Sequence, residues 1–161
     1  MEEKLLGIDE LERCIDNFLE PFGLTSKLDT DFAYYYEKDL VTFSIFHITA
    51  NDEFMLDALS RFPQNEGVPS FIWCLCHEIG HHETWEDLTD KQLEDSKQIK
   101  AAIDLENDPD SRMLYYTAPD EYEATKWAGN FISDNRTEVE NLWYDVLVAL
   151  GKFYRMNNIV K

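Results

Sequence analysis

The sequence predicts an α+β domain in which several packed helices accompany a small antiparallel sheet. Apolar residues recur at helical spacing in at least four segments, and two neighbouring segments are rich in β-branched and aromatic residues. A chain of 161 residues is long enough for one core that buries roughly 70% of the unfolded surface, and too short to expect several domains.

Ile8, Leu11, Ile15, Phe18 and Leu19 fall on one helical face, with Asp9 suited to its start and Pro21 to Gly23 suited to its end. Phe32–Tyr36 and Leu40–Phe46 read as two strands, Val41, Phe43 and Ile45 alternating with Thr42 and Ser44, and 37–39 supplies the hairpin turn. Asp52–Arg61 is a weaker helix, ended by Pro63, Gly67 and Pro69. Ser70 is placed to cap a central helix over Phe71–His82, whose Phe71, Ile72, Cys74, Leu75 and Ile79 face the core. Glu83–Pro119 is a polar excursion with helical potential over Lys91–Leu105. Pro119 and Asp120 open a helix that runs through Ile132. A last helix, Arg136–Met156, carries Val139, Leu142, Trp143, Val146, Leu147, Leu150 and Phe153 on one stripe.

Charge narrows the function. With 14 basic against 33 acidic residues the formal charge is -19, so phosphate backbones are repelled and no direct nucleic-acid partner is expected. No run approaches the roughly 20 apolar residues of a spanning helix, and Met1–Lys4 lead into acidic sequence rather than a secretory signal, so neither a membrane nor export is expected. Of the three cysteines, Cys74 and Cys76 are too close to bridge comfortably, which implies no disulfide framework and fits a cytoplasmic protein.

The chemistry is concentrated in the central helix. His77, Glu78 and His81 spell HExxH, and residues four apart on a helix share a face at about 6 Å, so the two imidazoles can share one metal ion. Glu78 projects to the side, where a carboxylate can take a proton from an attacking water without being a ligand. Zinc is the natural ion for such a site, and a catalytic zinc needs a third protein ligand. The helix from Asp120 to Ala128 offers Glu121 and Glu123, which point about 200° apart, so only one of them can face the metal. Cys74 and Cys76 are likewise about 200° apart and are expected to pack, and His47 is expected to be an ordinary strand residue.

The segment from His77 to Ala128, about a third of the chain, resembles gluzincin-type zinc metallopeptidases, and most closely the small ImmA/IrrE-like family of bacterial mobile elements and phages. His77-Glu78-Ile79-Gly80-His81 matches its HE-aliphatic-GH helix, and Glu121, Ala124, Trp127 and Ala128 match its glutamate helix. Thr125 stands where the family has Asn or Asp, and Gly129-Asn130-Phe131 replaces its aliphatic continuation. The resemblance implies a zincin-like fold whose sheet offers a substrate edge, with His77, His81 and Glu121 as the zinc ligands and Glu78 as general base and acid. It also implies a protein substrate, such as a regulatory protein of a mobile element or phage.

Peptide hydrolysis further needs a donor for the tetrahedral oxyanion, and Tyr115, Tyr116 and His82 are the candidates. A rival expectation from another class is an acidic, metallopeptidase-like protein that sequesters a host nucleic-acid-binding protein. Such a protein would have no need of Glu78.

Overall fold

The first helix, α1 (Ile8–Leu19), buries Ile8, Leu11, Ile15 and Leu19, the face its spacing predicts. Pro21 in the turn that follows, and Gly23 in the left-handed region at φ 73°, stop it. The computed structural model describes residues 7–50 and 54–157; the Met1–Lys4 segment and the expected Asp52 start of the second helix lie outside them.

Three strands follow: β1 (Thr25–Leu28), β2 (Ala33–Tyr35) and β3 (Leu40–Phe43), in the order β1-β3-β2. β2 and β3 form the expected antiparallel hairpin, with Tyr34 opposite Val41. The expectation of an antiparallel sheet is corrected by β1, which runs parallel to β3 with Ser26 opposite Val41. Its outward backbone donors are satisfied by side chains of α1: Ser26 N–H donates to Asp16 Oδ1 at 2.6 Å, and Leu28 N–H donates to Glu12 Oε1 at 3.2 Å. A helix therefore covers one edge of the sheet. The other edge is β2.

β3 also ends earlier than its alternation suggests. The Ser44 hydroxyl accepts the Phe46 N–H at 3.2 Å and caps a short helix, α2 (Ile45–Thr49), so Phe46 is 81% exposed and His47 is helical rather than in a strand. Next come α3 (Phe54–Arg61) and α4 (Ser70–Thr84), whose N-cap is Pro69, with Ser70 as its first helical residue. α4 buries Phe71, Ile72, Trp73, Leu75, Cys76 and Ile79, while Cys74 is only partly buried.

Within the polar excursion lie α5 (Asp90–Ala101), started by a Thr89/Gln92 capping box, and α6 (Arg112–Tyr115). α7 (Pro119–Asp134) and α8 (Arg136–Met156) complete the fold. Leu147, expected on the buried stripe of α8, is 42% exposed; Ala149 is buried on that helix instead. One apolar core joins Leu11 and Ile15 of α1, Val41 and Phe43 of β3, Trp73 and Leu75 of α4, Ala128 of α7 and Val146 of α8. No helix among the described residues is long and apolar enough to cross a membrane.

The crossing of α4 and α7 positions the site. A Cβ at Gly80 would collide with the carbonyl oxygen of Ala124 and lie 3.0 Å from its Cα, so only glycine lets the two helices come this close. Gly80→Ala is expected to cost about 1–3 kcal/mol, the usual scale of overpacking, and to force Glu121 away from α4. Thermal unfolding of the metal-free variant, together with a chelator titration, checks both effects.

Candidate metal centre

Because α4 is helical through the motif, His77 and His81 lie one turn apart on the same face, their rings nearly perpendicular with centroids at 4.6 Å. α7 crosses them at its first turn, where Pro119 occupies the opening position and Glu121 faces inward. Glu121 is 2% exposed, and its Oε2 lies 2.7 Å from His77 Nε2 and 3.0 Å from His81 Nε2. The ligand-capable atoms of the three residues are all within 4.8 Å of one another, close enough for one metal ion. Two imidazole nitrogens and one carboxylate oxygen form a donor set suited to such an ion, with room for a further non-protein ligand.

Glu123, the alternative at the start of α7, is not part of this group, and neither are Cys74, Cys76 and His47. Burial pushes the Cys76 thiol well above its ordinary pKa, so it is a neutral packing group. His47 packs near Phe32, the rings tilted with centroids 5.8 Å apart.

His77 is held from behind. Its Nδ1 lies 3.1 Å from the Thr125 hydroxyl, one turn along α7 from Glu121, so that hydroxyl is placed to orient the imidazole. Burial would raise the Glu121 pKa, but hydrogen bonds from His77 and His81 prevail and hold it well below the usual carboxylate range. For His81, burial disfavours the charged form, yet the hydrogen bond and charge of Glu121 outweigh it and the pKa rises.

A cleft of about 320 Å³ opens beside this group, lined by Glu78 and His81 of α4, Phe32 with Ala33 and Tyr34 of β2, Lys100 of α5 and Tyr115 of α6. Burial raises the Glu78 pKa; His77 and His81 oppose that rise, and the Glu121 charge adds to it. The shift makes Glu78 a more basic carboxylate than a solvent-exposed one, the direction that favours accepting a proton.

The three oxyanion candidates separate. Tyr115 lines the cleft, and burial followed by the charge of Glu121 pushes its phenol far above the ordinary value, so it stays protonated. Tyr116 packs against the core, its ring at right angles to Tyr115 at 5.5 Å. His82 is turned toward the sheet, with Nδ1 2.7 Å from the Tyr34 hydroxyl and 3.8 Å from Asp39. Tyr34, like Lys100, is a cleft residue that the sequence did not mark; burial and then the Asp39 charge push the Tyr34 pKa up to about 12. A tyrosine in a strand signals only sheet formation.

Compared with family models, curated proteins and solved structures, the chain has no match. What the site can do follows from its own residues.

Proposed function

We propose that the protein is a zinc metallopeptidase of the ImmA/IrrE-like kind, acting in the cytoplasm on a peptide bond of a protein substrate, such as a regulatory protein of a mobile element or phage. The observation that carries this reading is the convergence of His77, His81 and Glu121 beside a cleft whose wall includes Glu78. The donor set fits zinc, and zinc when bound supplies the Lewis acidity that makes water a nucleophile near neutral pH and polarises a carbonyl.

The chain's own residues do the rest. Thr125 orients His77, and the small faces of Gly80 and Ala124 hold the two ligand helices together. A Glu78 carboxylate oxygen takes the proton of the attacking water and gives it to the leaving amine nitrogen. The Tyr115 hydroxyl, kept neutral, donates a hydrogen bond to the carbonyl oxygen as negative charge develops on it. β2 borders the cleft as the sheet edge that α1 does not cover, which suits an extended polypeptide lying alongside Ala33 and Tyr34.

Protein purified without chelator should carry about one equivalent of zinc per chain, and elemental analysis checks it. Incubated with a mixed cellular protein extract, it should generate new polypeptide N-termini, read by terminal labelling, that disappear with chelator and return with zinc. Less than about a tenth of an equivalent, not restored by added zinc, would overturn the reading.

A further inference from the structure

Lys100 reaches the metal centre from α5, outside both helices of the motif. Its Nζ lies 2.6 Å from Asp120 Oδ2 and 3.0 Å from Glu121 Oε1, and its side chain is 33% exposed. The ammonium also sits 5.1 Å from the centroid of the Tyr115 ring. The two oxygens of Glu121 are thus divided: Oε2 faces His77 and His81, while Oε1 is taken by Lys100.

Asp120 is fixed in turn. Its Oδ1 accepts the Glu121 N–H at 2.8 Å, and its own N–H donates to Ser96 Oγ at 3.2 Å. Ser96 and Lys100 are four residues apart on one face of α5, so this polar helix grips the first turn of α7 at two points.

We propose that Lys100 is a positioning residue of the metal centre: by occupying Oε1 it restricts Glu121 to donating through one oxygen, which keeps a coordination position open for substrate or water. The inference rests on the metal-centre reading and adds to it a residue outside the motif. A carboxylate has two oxygens within reach of any ion it binds, and a buried oxygen that loses its charged donor is left poorly compensated for its lost hydration. Once Lys100 is removed, Glu121 keeps only the neutral Tyr115 phenol as a hydrogen-bonding neighbour on this side, and Oε1, without its cationic partner, is drawn to the metal, so the open position is lost.

The test reads coordination rather than turnover. The purified full chain is loaded with cobalt(II), whose visible absorption is strong in four-coordinate sites and weak in higher-coordinate ones. Lys100→Met should lower the band intensity roughly twofold or more as the coordination number rises. Lys100→Arg, which keeps a cationic donor, should stay close to the wild-type spectrum. Ser96→Ala removes the other grip of α5 without touching Glu121, so it should leave the spectrum unchanged; a merely structural role for α5 would make it behave like Lys100→Met.

A Lys100→Met spectrum superimposable on wild type would overturn the proposal while leaving the metal centre intact. A wild-type chain that takes up no cobalt and no zinc would instead remove the metal-centre reading itself. If Lys100→Met does not fold, by circular dichroism, Lys100→Gln is read in its place, and loss of fold in both makes Lys100 a structural residue and overturns the proposal.

Discussion

Glu78→Gln is expected to keep its fold and its zinc and to lose about a hundredfold or more in the cleavage of a captured protein partner, the scale on which a general base contributes. Glu78 lines the cleft without belonging to the three-donor group, so removing its charge leaves the ligands in place. Glutamine keeps the size and hydrogen-bonding reach of the side chain and loses only the ability to take a proton. Burial already raises the Glu78 pKa, so no large rearrangement is needed to accommodate a neutral side chain there. The experiment captures partners from a host lysate with the variant and then asks whether wild-type protein cuts them. If the biological effect survives Glu78→Gln undiminished and the wild type cuts no captured partner, the peptidase reading gives way to the acidic sequestering protein that a charge of -19 also suits.

The parts of the fold legible in the sequence are those whose stabilisation is written locally. α1, α4, α7 and α8 each carry an apolar stripe at helical spacing, and the β2-β3 hairpin carries alternation with a polar turn. β1 was hidden because Thr25-Ser26-Lys27-Leu28 has no β-branched or aromatic run. It is a strand because Asp16 and Glu12 of α1 accept its outward N–H groups and β3 pairs with it, contacts that no local pattern announces.

The candidate site divides in the same way. His77, Glu78 and His81 could be placed on one helix by spacing alone, and the choice between Glu121 and Glu123 came from the resemblance. Their supports were not legible, because they arrive from elsewhere in the chain. Lys100 lies in a polar helix whose exposed residues hide its inward face, Tyr34 lies in an edge strand, and Thr125 reads as a departure from the family pattern until its hydroxyl is seen beside His77. Gly80 is visible in the sequence as a letter of the motif, but its physical role, admitting the backbone of Ala124, exists only once two helices cross.

Glu121→Ala is expected to weaken zinc binding by more than the ~100-fold that loss of an orienting partner alone can cost, whereas Glu123→Ala should leave affinity close to wild type. The asymmetry follows from the phase of α7: two residues on a helix diverge by about 200°, so the register that buries Glu121 against His77 and His81 turns Glu123 away. Loss of Glu121 strips the three-residue group of its anionic donor and leaves the two imidazoles facing a void near Lys100, whose positive charge then opposes an incoming cation and is offset less than before, by Asp120 at 2.6 Å and by the buried Glu78. Glu121→Gln separates these contributions, since it keeps the volume and a weak oxygen donor while removing the charge, and should fall between wild type and alanine. Competition with a chromophoric chelator measures all three variants on one scale. Should Glu123→Ala be the variant that releases metal while Glu121→Ala retains it, the register of α7 against α4 is wrong by two residues, and with it the assignment of Lys100 and Thr125 to the same centre.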